Sequence, residues 1–369
     1  MKIIHVTDSS IQNFDGISTY INELILSSES KGDEVLLLCT TPTDKSNLRA
    51  IQYKGKVIAY KSLRFPGKPK LIVPIKTGIT KTIHEFNPDL IWIHSVGTIG
   101  TKAARIAKGK YKVVCTKHSF DGDLWCLYLK IPASFQWFIH FAANRFEKIV
   151  ADACYFFIYH FNDTTKIKDK DYFNKFVKFP PPIQLRFLEN QSVKELNPNQ
   201  LTLGFCGRCE PDKDIENTYL ALQMFQKKHP KIEITFYLIG DGPVAKPLAA
   251  KYKSIKTIIT GYTADVIPYL DRLDGFILSS RHETTSLSSL EAYARGIPIF
   301  SLPIGYLSEI KNIDNFYLFE NIEKLVELLE TIFLTQKRGR KIPKKNMLGD
   351  LVISYSELLH RVTDSIKSR

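Results

Sequence analysis

The chain has 369 residues, 44% hydrophobic and 24% charged, without a low-complexity tract, which leaves room for two cores and excludes a disordered or fibrous protein. Its net charge of +13 is one-sided: residues 1–183 hold 26 Lys and Arg against 16 Asp and Glu (+10), and the remainder holds 25 against 22 (+3). No apolar run reaches the roughly 18–20 residues of a membrane helix, the start MKIIHVTDSS is too short for a secretory signal, and six scattered cysteines suit a reducing compartment, so a cytoplasmic protein is expected.

From the N-terminus, short β-rich runs KIIHVT (2–7), EVLLLC (34–39), DLIWIH (89–94) and KVVCTK (112–117) alternate with stretches of helical period at 17–29, 72–86 and 99–108. The aromatic segment LWCLYLKIPASFQWFIHF (124–141) reads either as an element skimming an interface or as a buried helix and loop. KFPPPIQ (178–184) is the predicted hinge, because three prolines fit neither a helix nor a central strand. After residue 200 the alternation restarts with LTLGFC, EITFYLIG, KTIIT, GFILSS and IPIFS, and the helix over 215–228 places Ile215, Tyr219, Leu222 and Phe225 near one face. Nearly continuous apolar strands joined by helical crossovers imply parallel sheets covered on both faces. The expected fold is α/β, with two doubly wound Rossmann-like domains facing across a cleft: 1–180, 184–345, and a C-terminal helix within 346–369 that packs back toward the first. Such sheets bind ligands at the carboxyl ends of their strands.

Three segments that follow strands look chemical. In GFCGRCEPDKD (204–214), C-G-R-C has the spacing of a redox pair or half a zinc site. The same residues also place Gly207 and Arg208 after a strand and Lys213 before a helix, a cradle for a diphosphate. No second CxxC or histidine cluster completes a zinc site. LIGDGP (238–243) is a strand ending in a turn. In ETTSLSSLEAYARGIP (283–298), Glu283 lies in a loop and Glu291 eight positions later in a helix, with Thr284, Thr285, Ser286, Ser288 and Ser289 between them. A loop carboxylate accepts hydrogen bonds from sugar hydroxyls, helix-start amides bind phosphate, and a second carboxylate takes the hydroxyls of a ribose. The plainer alternative is that Glu283 supports the helix start and Glu291 is a solvated helix residue.

In order and spacing these pieces resemble the retaining family 4 glycosyltransferases of GT-B fold. GRCEPDK (207–213) is similar to their G-R-x4-K, ETTSLSSLEAYARGIP to E-x7-E followed by A-x-A-x-G-x-P, and GYLSEI (305–310) to G-G-x-x-E-I. FDGISTYINEL (14–24) resembles their glycine turn and helix, and VCTKHS (114–119) their strand-end T-x-H. The resemblance implies a nucleotide-sugar donor contacted by Gly16, Arg208, Lys213, Glu283, Ser286, Leu287 and Glu291. Arg208 and Lys213 would stabilise the leaving diphosphate, Glu283 orient the sugar, Glu291 hold the ribose and His118 contact the transferred sugar, with no metal or other cofactor. Asp15, Asp214 and Ser286 stand where the family has glycine, and PPPI (180–183) where its linker reads P-N-G-I. An epimerase or phosphorylase of the same fold is the alternative enzyme class. A basic nucleic-acid-binding protein is the non-enzymatic one, but no base-reading module occurs and no nucleic acid partner is expected. The basic first half and the aromatic segment suggest an anionic or lipid-linked acceptor and peripheral association with an anionic membrane.

Overall fold

The computed structural model describes residues 1–13, 15–42, 48, 50–65, 68–74, 78–118, 122, 126, 131–160, 170–191, 194–281, 283–310, 313–336 and 351–367. They form two compact units: Met1–His160 with residues 170–179 and Tyr355–Arg369, and Pro180–Ser354.

The first unit holds β1 (Lys2–Val6), α1 (Gly16–Ser30), β2 (Glu34–Thr40), β3 (Lys56–Tyr60), β4 (Ser62–Phe65), β5 (Lys68–Pro74), α2 (Ile79–Phe86), β6 (Leu90–Ile93), α3 (Thr98–Ala107), β7 (Lys112–Thr116), α4 (Ala133–Ala153), β8 (Phe156–Tyr159) and β9 (Phe176–Lys178). Among the described residues its main sheet runs β3-β2-β1-β6-β7-β8-β9, with every neighbouring pair parallel. Ile4, Val6, Ile91, Ile93, Val113 and Cys115 point to one face and pack with Ile79, Ile83, Ile99, Ala103 and Val150 from α2, α3 and α4. The alternate residues His5, Trp92 and Thr116 are buried on the other face. Helix 72–86 is corrected: residues 68–74 pair antiparallel with β4, and only Ile79–Phe86 is helical.

Helix α4 begins in the aromatic segment. Ala143, Glu147, Val150 and Ala151 recur at helical spacing on its buried side. Its first nine residues instead expose Phe135 (63%), Trp137 (67%), Phe138 (56%) and Phe141 (55%), so the buried reading fails there. Residues 124, 125 and 127–130 of that segment lie outside the described residues.

The second unit holds β10 (Pro182–Ile183), β11 (Gln200–Cys206), α5 (Ile215–Lys228), β12 (Glu233–Ile239), α6 (Ala245–Lys251), β13 (Lys256–Ile259), α7 (Ile267–Leu270), β14 (Gly275–Leu278), α8 (Leu287–Ala294), β15 (Ile299–Ser301), β16 (Phe316–Leu318), α9 (Ile322–Leu329) and β17 (Ile353–Ser354). Its parallel sheet runs β13-β12-β11-β14-β15-β16 among the described residues. Ile215, Tyr219, Leu222 and Phe225 of α5 are all buried in its core, as their spacing requires. The last helix, α10 (Tyr355–Lys367), belongs with the first unit and lies on α1: Tyr355 meets Tyr20 edge-on at 5.6 Å, and Lys31 donates to the Ser356 carbonyl at 2.9 Å. Two doubly wound parallel sheets are thus the fold that the alternation predicts.

Candidate active site

In the second unit β11 has β12 on one side and β14 on the other, so the crossovers diverge at the carboxyl ends of β11 and β14. The segments leaving those two ends carry Arg208, Lys213, Glu283 and Ser286. Lys213 donates to Glu283 Oε1 at 2.7 Å, joining positions 70 residues apart, and both side chains are largely buried. Asp212 lies 3.6 Å from the same ammonium, and Arg208 lies 3.9 Å from Glu210. Glu291 is half-buried on α8, close enough to Cys206 that its charge adds to the burial that raises the thiol pKa. Leu287 is the first residue of α8.

Backbone packing explains the glycines of these loops. A Cβ on Gly240 would lie 2.1 Å from the Gly207 carbonyl, and one on Gly242 2.3 Å from that of Cys209. GDGP is therefore the surface on which the Gly207–Arg208 turn rests, fastened by Gly207 N to Ile239 O at 2.9 Å and Cys209 N to Asp241 O at 2.8 Å. Gly305 seats its turn on the acidic loop in the same way, since a Cβ there would meet the Glu283 carbonyl at 2.4 Å.

The departures from glycine are also placed. Asp214 (φ 48°) and Ser286 (φ 51°) are both left-handed, a conformation glycine adopts without penalty. Asp214 is held by Arg281 at 2.8 Å and Asn217 at 2.6 Å, while Ser286 shares a hydrogen bond with Ser289 at 2.9 Å. Asp15 caps α1 by accepting from Ser18 N at 2.8 Å, and a Cβ on Gly16 would meet nothing within 4 Å. Packing among the described residues does not call for that glycine.

Ser279 and Arg281 escape a motif reading. Ser279 accepts from Thr218 and donates toward the backbone oxygens of Lys213 and Asp214, and Arg281 N reaches the Asp212 carbonyl. Their signal is only a polar run directly after a buried strand. Cys209 is fully buried and Cys206 half-buried, and desolvation raises both thiols, Cys209 to about 12. An activated redox thiol needs a depressed pKa, so the pair has the wrong electrostatics. No group of His, Cys, Asp or Glu suited to a metal ion occurs among the described residues.

His118 belongs to the first unit, just beyond β7. Tyr20 of α1 meets it edge-on at 4.7 Å, and the His94 ring centre lies 5.7 Å away. Burial depresses its imidazole to about 3, so it is neutral at ordinary pH. Lys117, just before it, is buried in an ion pair with Glu147 of α4 at 2.6 Å. That pair fixes the strand end from which His118 projects.

Residues 200–334 match the family described as Glycosyl transferases group 1, and residues 14–164 that described as Glycosyltransferase Family 4. The alpha-monoglucosyldiacylglycerol synthase of Acholeplasma laidlawii is 26% identical over 334 residues, 81% of this chain and 79% of that protein. The protein of the same name from Streptococcus pneumoniae (strain ATCC BAA-255 / R6) is 22% identical over 341 residues, 84% of this chain and 73% of that one. Among solved structures, Anabaena HepE in complex with UDP and glucose superposes with a TM-score of 0.71 over 100% of both chains, at 13% identity.

Glycosyltransferase matches over both parallel-sheet units define the class: the chain is a glycosyltransferase of GT-B type. Within that class its second unit is similar to the group 1 enzymes and its first to the family 4 enzymes.

Proposed function

We propose that this enzyme transfers a hexosyl unit from a nucleoside diphosphate sugar to a lipid-borne acceptor at an anionic membrane surface, with retention of anomeric configuration. The observation that carries the reading is the convergence of Arg208, Lys213 and Glu283 at the carboxyl ends of two adjacent strands, with Glu291 on the helix that follows. Arg208 and Lys213 supply positive charge where the diphosphate leaves. Lys213 already meets Glu283 at 2.7 Å, so diphosphate and sugar hydroxyls would bind side by side. Glu291 takes the ribose, and Ser286 and Leu287 offer helix-start amides to phosphate. Gly16 is counted as a donor contact on the strength of the sequence resemblance alone. The reaction is read as needing no metal.

Two facts support the lipid acceptor. The relatives above are named for a glucosyldiacylglycerol product, and α4 exposes four aromatic side chains beside Arg145, in the more basic half of the chain. Aromatic rings with basic neighbours suit a membrane interface.

The test incubates the enzyme with UDP-, GDP- or ADP-hexoses and vesicles containing diacylglycerol or monoglucosyldiacylglycerol, with and without chelator. Acceptor-dependent release of nucleoside diphosphate, with an axial or equatorial anomeric product matching the donor, is expected in both arms. Donor epimerisation without an acceptor would favour the other enzyme class. Absence of turnover with every pair would refute the reading.

A further inference from the structure

Three imidazoles run edge to edge across the sheet of the first unit. His5 Nδ1 lies 3.0 Å from His94 Nε2, and His94 Nδ1 lies 3.5 Å from His118 Nε2. Successive ring planes are tilted by 16° and 28°, nearly coplanar. The arrangement follows from the strands. β1 and β6 pair in parallel with His5 beside Trp92, and the two-residue period turns His5, Trp92 and His94 to one face. Trp92 stacks on both histidines and is itself fixed by donating to Thr116 at 2.8 Å.

Burial depresses all three imidazoles, so each is neutral and carries one N–H and one lone pair. Three protons and two contacts allow only two arrangements in which both hydrogen bonds form. Either every ring is protonated at Nδ1 and the bonds run from His5 to His118, or every ring is protonated at Nε2 and they run back. The buried end separates the two. Among the described residues His5 Nε2 has no hydrogen-bond partner. The second arrangement strands an N–H there, whereas the first strands only a lone pair, and orphaned buried N–H groups are the rarer defect. Tyr20, packed against His118, has its own partner: its hydroxyl meets His160 Nε2 at 3.0 Å, and His160 Nδ1 meets the Phe179 carbonyl at 2.9 Å. A carbonyl only accepts, so His160 donates at Nδ1 and takes the tyrosine proton at Nε2.

We infer that His5 and His94 are positioning residues that lock His118 in its Nδ1–H form, so that His118 meets the transferred sugar as a hydrogen-bond donor and not as a base. The inference rests on the reading that His118 touches the sugar, but the tautomer is measurable without any substrate.

The experiment labels the histidines with 15N and records the imidazole nitrogens of the intact protein at neutral pH, assigning His118 by its substitution. Protonated Nδ1 and unprotonated Nε2 are expected on His5, His94 and His118. A His118 protonated at Nε2, or an imidazolium, overturns the proposal whether or not the enzyme transfers sugar. Variants at the buried end supply the second arm. His5→Phe removes the donor to His94 and should release the tautomer of His118. His5→Asn restores an N–H near the Nδ1 position and should restore it. With donor KM little changed, kcat should fall about tenfold in His5→Phe, the loss of one neutral hydrogen bond, and recover in His5→Asn. A folded His5→Phe protein with the wild-type tautomer, or equal losses in both variants, overturns the proposal. A wild-type protein with the expected tautomers but no transferase activity refutes the sugar-transfer reading alone.

Discussion

Lys213 and Glu283 compensate each other's charge in a largely buried site, so removing one disturbs the other. Arg208→Ala and Lys213→Ala should each lower turnover by about 10²–10³, the usual loss for one donor to a developing anion. Their effects should be less than additive if both serve one phosphate group. Steady-state kinetics should also separate the two glutamates: Glu283→Gln lowers kcat, whereas Glu291→Gln chiefly raises KM for the donor. Equal and unchanged parameters in both would remove the carboxylates from the site. Cys209→Ser places a hydroxyl in a fully buried position, so it should lower stability while transfer per folded molecule survives. Arg208, Lys213, Glu283 and Glu291 are legible in the sequence because they follow recognisable strands at fixed spacing. The Lys213–Glu283 contact is not, since nothing local to either residue specifies a partner 70 positions away. Nor are the left-handed backbones of Asp214 and Ser286, because neither residue type announces a positive φ. His5 and His94 stay hidden for another reason: inside KIIHV and LIWIH they look like ordinary interruptions of apolar strands.

Elements were legible where period and burial agree. β1, β2, β6, β7 and the strands β11 to β15 are nearly continuous apolar runs, and α5 keeps a clear helical face. The stretch 72–86 misleads because its residues fit a helical period, whereas residues 72–74 belong to a strand that pairs antiparallel with residues 62–65. A buried ionic join in the first unit ties the end of β7 to α4. There Glu147 accepts from Lys117 at 2.6 Å, Lys170 at 2.7 Å and Tyr172 at 3.0 Å. Burial alone would raise the Glu147 carboxyl, but the two ammonium groups overcome it and hold the pKa below the usual range. Glu147→Ala leaves Lys117 buried without its counter-ion and should cost about 3–5 kcal/mol, read as a lower urea midpoint at unchanged slope. A loss under about 1 kcal/mol would mean that the pair behaves like a surface bridge.

The two units should respond differently to acid. His5, His94 and His118 all lie in the first, the first two buried, the third half-buried beside them, and all three neutral. In the second, His229 is half-buried and hydrogen-bonded to the Glu330 carboxylate at 2.8 Å. A histidine whose folded-state pKa is depressed contributes its full stability above the unfolded value of 6.5 and loses it as pH falls toward the folded value, about 3 for His5 and His118. Each such histidine costs about 1.4 kcal/mol per pH unit once the solution is well below 6.5. Glu147 runs in the same direction, but its contribution is kept above the unfolded value of 4.5 and is lost only below it. Between pH 6.5 and 4.5 the histidines therefore act with little interference from that carboxylate. Scanning calorimetry from pH 7.5 to 5 should show the transition of the first unit falling steeply while that of the second moves little. Limited proteolysis at pH 5 should correspondingly cut within residues 1–160 before 180–354. Parallel movement of both transitions would show that the three imidazoles take up protons without opening the first unit, and that their burial is looser than the structure describes.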